Sequence, residues 1–167
     1  KAAYYQPASQ GGDTDNYWLY PTASNTVPTV ATANAVGDIS NPGTNVANYN
    51  AGADWNGQDG NVTTVGSAGA GSASFYGTFD QGGNVWEWNE SAYDGNLDNM
   101  AESRVVRGGS FVFFEGYLRS SSRGGVIPTY EDFDFGFRVA AIPEPSSIAL
   151  IGLVGGGMMF VRRTFRV

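Results

Sequence analysis

One glutamate stands between two tryptophans, directly behind a Gly-Gly-Asn turn, in Phe79-Asp80-Gln81-Gly82-Gly83-Asn84-Val85-Trp86-Glu87-Trp88. Such a stretch threads a carboxylate through an aromatic cluster. Burying an unpaired carboxylate is costly, so Glu87 requires a partner. No lysine or arginine lies within fifteen residues of it in sequence, and the chain has no histidine. A hard cation such as calcium is one solution, since it takes carboxylate, amide and backbone oxygens together. Asp80, Gly83, Val85 and Glu87 are spaced to offer such oxygens from one tight loop. An N–H partner for Glu87, or its plain exposure to water, is the other solution.

What the chain lacks excludes several chemistries. With no cysteine there is no disulfide framework, no thiolate nucleophile and no zinc ribbon. Without histidine the commonest general base and transition-metal ligand is missing too. Residues 1–141 carry six Lys and Arg against fifteen Asp and Glu, while residues 142–167 carry three Arg against Glu144 alone. An acidic body with no basic cluster argues against nucleic acid as a partner. The 24 glycines follow no Gly-X-Y period, and no stretch before residue 141 sustains a helical period. The expected fold class is α+β, with short strands, long loops and little helix outside the tail. At 41% hydrophobic and 14% aromatic, 167 residues suffice for one domain with a packed core.

Three further segments follow in order: Arg104-Val105-Val106-Arg107-Gly108-Gly109-Ser110-Phe111, Leu118-Arg119-Ser120-Ser121-Ser122-Arg123 and Phe135-Gly136-Phe137-Arg138-Val139-Ala140. Together with Gly-Gly-Asn-Val-Trp-Glu-Trp they resemble the sulfatase-modifying-factor family, whose founding member is the formylglycine-generating enzyme. The resemblance spans most of residues 41–141. It implies a C-type-lectin-like fold for residues 1–141 and one or two structural calcium ions. For the first ion it implies side-chain oxygens from Asn48 and Asp59 and backbone carbonyls from Tyr49 and Asn61. For the second it implies side chains from Asp80 and Glu87 and carbonyls from Gly83 and Val85. Read from its residues alone, the first segment is equally an ordinary Asx turn. Each ion would lock a loop that has few hydrophobic contacts of its own.

Catalytic members of that family bind copper through two cysteines, five residues apart, just after the Gly-Gly-Ser turn. Here those positions are Phe113 and Leu118. Ser110 and Trp86, which line the oxygen pocket in catalytic relatives, persist and are expected to pack the core. Two functions follow from the resemblance. The first is a non-catalytic, calcium-stabilised surface or extracellular-matrix protein. The alternative is an oxidoreductase that converts a sulfatase cysteine to formylglycine; oxygen ligands do not replace thiolates at Cu(I), which argues against it. Residues 110–133 correspond to the family's ligand-facing surface. Phe111, Phe113, Phe114, Tyr117 and Tyr130 are therefore the candidate face for a glycan, a protein or self-assembly.

Local patterns set further expectations. Residues 105–111 and 136–140 read as core strands, and Asn61-Val62-Thr63-Thr64-Val65 as a strand behind an Asp59-Gly60 turn. Asn61-Val62-Thr63 is also a glycosylation-type triplet. Tyr17-Trp18-Leu19-Tyr20-Pro21 is the one apolar knot in a polar loop over residues 6–47. Lys1-Ala2-Ala3-Tyr4-Tyr5 reads as the end of a helix, and by resemblance as a point midway through a longer domain.

The last 26 residues read differently from the rest. Pro143-Glu144-Pro145 precedes an apolar run over 148–161, and Arg162, Arg163 and Arg166 follow it. Pro-X-Pro keeps the segment before the run extended. As a helix, the run would span about 21 Å, short of the roughly 30 Å hydrocarbon core, with the arginines held cytoplasmic. This resembles the PEP-CTERM sorting signal of exported Gram-negative proteins. It implies export to the envelope or beyond, an exosortase acting near residues 143–145, and membrane engagement through 148–161 before processing.

Overall fold

The computed structural model describes residues 3–139. Its organising element is a four-stranded sheet of order β5-β4-β3-β6. The long strand β3 (Trp86–Ala92) pairs antiparallel with β4 (Arg104–Arg107), and β4 pairs antiparallel with β5 (Gly124–Val126). On the other side of β3, β6 (Phe135–Gly136) runs parallel. A separate ribbon joins β1 (Thr29–Val30) to β2 (Val46–Ala47) in parallel.

Strand β4 is short for a definite reason. Gly108 and Gly109 have φ of +89° and +70°, a left-handed backbone that turns the chain out of the sheet. A Cβ on Gly108 would lie 2.8 Å from the Gln81 carbonyl oxygen, so the turn also packs against the loop before β3. The expected strand over 105–111 is thus cut at Arg107. Val105 and Val106 are both buried, so β4 is covered on both faces.

Two buried clusters hold the rest. Tyr20, Ala47, Tyr49 and Leu118 form one, with Leu19 and Val30 packed against it. Ala31, Ile39, Val46 and Ala68 form the other. Tyr20 and Leu118 are wholly buried although 98 positions separate them. The apolar knot at 17–21 therefore does anchor the long polar loop. It reaches the chain's later half again where Ser120 N donates to Leu19 O at 2.9 Å.

Elsewhere the structure corrects the reading. Among the described residues there is no α-helix, and helical structure is confined to 3-10 turns at Ala8–Gln10, Ala70–Ser72 and Glu115–Leu118. Ala3 and Tyr4 form a turn, and Tyr5 makes an isolated bridge to Tyr17 instead of closing a helix. Residues 61–65 form no strand. Their backbone donors are taken singly: Val62 N by Asn61 Oδ1, Thr63 N by Asn84 Oδ1 and Thr64 N by Gly37 O. With no neighbouring strand to run along, β propensity has nothing to act on. Of the strand expected at 136–140, β6 contains Gly136 alone. The expected apolar helix at 148–161 and the sorting motif at 143–145 lie outside the described residues.

Candidate functional site

The Gly82-Gly83-Asn84 turn places β3 against two other loops. Gly83 has φ +77°, and a Cβ there would lie 2.1 Å from the Asn48 carbonyl oxygen, so only glycine fits. Asn84 follows with φ +64°, a conformation that asparagine tolerates better than most residues. Its N–H donates to Asn48 O at 2.8 Å, and its carbonyl accepts from Phe111 N at 2.9 Å. Its Oδ1 accepts from Thr63 N at 2.8 Å and from Asn48 Nδ2 at 3.1 Å. One side chain thus ties the 48–63 loop to the turn before β3. The sequence marked Asn84 only as a turn residue; its place directly after two glycines was the available signal.

The first loop brings two of its four expected residues together. Asn48 is buried, and its Nδ2 donates to Asn61 O at 2.8 Å. Its Oδ1 is buried with no hydrogen-bond partner among the described residues. An unpaired buried acceptor of this kind is rare. Tyr49 is buried, with its hydroxyl donating to Pro28 O at 2.6 Å and its carbonyl accepting from Gly52 N. Asp59 is exposed. Asp59 and Asn61 line a cleft of about 550 Å³ together with Phe111, Val112 and Phe133.

At the second loop, Glu87 has found an N–H partner. Arg138 Nε donates to the Glu87 carboxylate, and Arg138 Nη2 donates to the Asp80 carbonyl at 2.7 Å. The Asp80 side chain turns elsewhere, with Oδ2 accepting from Gly66 N at 2.7 Å. Burial raises both carboxyl pKa values above their ordinary range, and the guanidinium of Arg138 opposes that rise at each. Gly83 N donates to Gly108 O at 2.8 Å, and Val85 leads directly into β3. The positive charge that Glu87 requires therefore comes from within the chain. Among the described residues no three His, Cys, Asp or Glu side chains converge as a metal cluster.

Phe113 and Leu118 are the positions that the resemblance matches to the cysteine pair of catalytic members. The ring of Phe113 packs at 5.5 Å from that of Trp86 and at 4.9 Å from that of Tyr117. Trp86 and Tyr117 meet edge to face at 5.7 Å, while Leu118 is wholly buried. Ser110 is also wholly buried and donates from Oγ to Asp134 Oδ2 at 2.7 Å. Ser110 and Trp86 both belong to the packed interior, as expected.

The five candidate ligand-face rings divide between two environments. Phe111 is buried against Phe133, whereas Phe113 and Tyr117 are half-buried in the Trp86 cluster. Phe114 and Tyr130 are exposed, and the Tyr130 hydroxyl donates to Asp132 Oδ2 at 2.7 Å. Only the last two present open rings to a ligand. Phe111 contributes instead to the cleft beside Asp59 and Asn61.

A comparison with curated proteins found no match. A family model described as the sulfatase-modifying factor enzyme 1-like domain matches residues 2–142, which takes in every strand among the described residues and the Trp86–Glu87 motif. The chain belongs to that family.

Proposed function

We propose that this protein is a non-catalytic member of the family, an exported surface or extracellular-matrix domain stabilised by calcium. The observation that carries the proposal is the packing of Phe113 and Leu118. Both are hydrocarbon side chains locked against Trp86, Tyr117 and the Tyr20 cluster, and neither can ligate copper. No thiolate exists elsewhere in the sequence to replace them.

The donor set for calcium fits better at the first loop than at the second. Asn48 Oδ1 is a buried oxygen with nothing to accept from among the described residues, and Asp59 supplies a carboxylate nearby in the chain. A cation there would be held by Asn48, Asp59 and the carbonyls of Tyr49 and Asn61. At the second loop Arg138 already meets the charge of Glu87, so Asp80, Gly83, Val85 and Glu87 have weaker need of an ion. Bound calcium supplies cross-linking between loops and no chemistry.

Export rests on the terminal sequence: Pro143-Glu144-Pro145, the apolar run at 148–161 and the closing arginines. An exosortase of a Gram-negative envelope would act on it, with the run engaging the membrane until then. Among the described residues no helix is long and apolar enough to cross a membrane. Of the five candidate rings, Phe114 and Tyr130 are the exposed ones through which a glycan, protein or self-assembly partner would bind at 110–133.

Mass spectrometry of a cysteine-containing sulfatase peptide, incubated with the protein with and without copper, tests the central claim. An unchanged peptide is expected. Conversion of its cysteine to the aldehyde would establish the oxidoreductase instead.

A further inference from the structure

We propose that a second cleft, beside the paired strands β3 and β4, binds a carboxylate-bearing monosaccharide unit. It encloses about 400 Å³ and is lined by Tyr17, Glu87, Trp88, Asn89 and Arg107 among others, and neither Phe113 nor Leu118 lines it. The proposal rests on neither calcium nor the absence of catalysis.

Its central observation is an ion pair that does not form. Glu87 and Arg107 stand directly opposite each other in the β3–β4 register. Opposite charges so placed ordinarily pair across the strands. Here Glu87 is held by Arg138, and Arg107 Nη1 donates to Ser120 O and Ser122 O, both at 3.0 Å. Among the described residues, Nε and Nη2 of Arg107 have no acceptor. One nitrogen therefore fixes the guanidinium, and the edge carrying Nε and Nη2 remains open. That edge is the one that binds a carboxylate through two parallel hydrogen bonds.

Charge selects the same ligand. Arg138 offsets Glu87, which leaves Arg107 as the uncompensated charge of a cleft in an otherwise acidic domain. A single carboxylate matches one open guanidinium edge. A more highly charged phosphate would meet Glu87 with no second cation to balance it. The remaining lining suits a polyol. Trp88 and Tyr17 add aromatic surface of the kind that suits the apolar side of a sugar, and the amides of Asn89 and Gln81 add groups that hydrogen-bond hydroxyls. The volume lies within the range of small-ligand sites.

Titration of the full chain with glucuronate, glucose and inorganic phosphate, followed by calorimetry and tryptophan fluorescence, tests the proposal. Glucuronate is expected to bind at least about tenfold more tightly than either of the others, the difference of one bidentate charged contact. Arg107→Lys should lose that preference while retaining charge, and Gln81→Ala, which removes a side chain that makes no hydrogen bond among the described residues, should weaken glucuronate binding without lowering the melting temperature. Equal binding of glucuronate and glucose would overturn the carboxylate assignment. Tighter binding of phosphate, or glucuronate binding indifferent to both substitutions, would overturn the site.

Discussion

Arg138 reaches back 51 residues to place its Nε–H on the Glu87 carboxylate and its Nη2–H on the Asp80 carbonyl. The guanidinium thereby closes the loop that leads into β3 and fastens the chain just beyond β6 to it. Glu87 is mostly buried, at 16% side-chain exposure, and Arg138 is half-open at 38%. A pair of this kind contributes through what its loss would strand. Without Arg138, a desolvated carboxylate would remain among aromatic neighbours.

Arg138→Met is therefore expected to destabilise the domain by about 1–2 kcal/mol at neutral pH, less than a fully buried pair because water screens Arg138. The sign of its pH dependence follows from Glu87. Burial already raises the folded-state pKa of Glu87, and removing the guanidinium raises it further. A raised folded-state pKa favours folding below the unfolded value, and that advantage is lost as pH rises through the folded one. The cost of Arg138→Met should thus be smallest in mild acid and grow toward neutrality. Urea melts of both proteins at acid and neutral pH measure it, and a cost independent of pH would show that Glu87 does not depend on Arg138.

Calcium at the first loop predicts a different signature. Saturating calcium should raise the melting temperature over that in chelator, because an ion bound only by the folded chain stabilises it by about 2.7 kcal/mol at a hundredfold excess over Kd. Asp59→Asn should abolish this increment and leave the chelated protein unchanged, since Asp59 is exposed. Glu87→Gln should retain most of the increment, given that Arg138 serves Glu87. If Glu87→Gln abolishes the increment and Asp59→Asn does not, the ion belongs to the second loop.

The requirement for a partner at Glu87 was legible in Trp-Glu-Trp, but the identity of the partner was not. Arg138 lies far along the chain, and nothing local to either residue announces the other. The shortness of the strands was readable from the glycines and asparagines, because Gly108, Gly109 and Asn84 each take positive φ. The pattern at 61–65 misled for a tertiary reason: a side-chain amide from 21 residues away captures Thr63 N, and no strand lies alongside. That residues 113 and 118 are Phe and Leu, with no cysteine in the chain, was plain from the sequence. That Phe111 would be buried while Phe114 is open depended on the Gly108-Gly109 turn, whose angle no periodicity reports.

Ser110→Ala tests whether the retained serine serves structure. Ser110 Oγ satisfies Asp134 Oδ2 in a site where both residues are buried. Removing the hydroxyl strands a carboxylate oxygen, at a cost of about 1–3 kcal/mol. In a double-mutant cycle with Asp134→Ala, a coupling above about 0.5 kcal/mol is expected, since the two groups bond directly. Additive effects would mean that Ser110 acts independently of Asp134.

Asn84 gives the sharpest test of how the loops are held together, because its two roles can be separated. Its backbone has φ +64°, and its amide bonds Thr63 and Asn48. Alanine removes the amide and keeps a Cβ in a left-handed conformation that costs about 1–2 kcal/mol, without the local side-chain hydrogen bonding that lets asparagine tolerate it. Glycine removes the same amide but carries no such strain. Both substitutions leave Thr63 N, a buried donor, without its acceptor, a loss of about 1–3 kcal/mol. Asn84→Gly should therefore be less destabilising than Asn84→Ala by about 1 kcal/mol, and still clearly less stable than the parent. Equal destabilisation by the two would show that the turn relaxes away from positive φ once the amide is gone. A glycine variant as stable as the parent would show that the bonds to Thr63 and Asn48 contribute nothing. In that case the Gly83 approach to Asn48 alone would have to hold the 48–63 loop against β3.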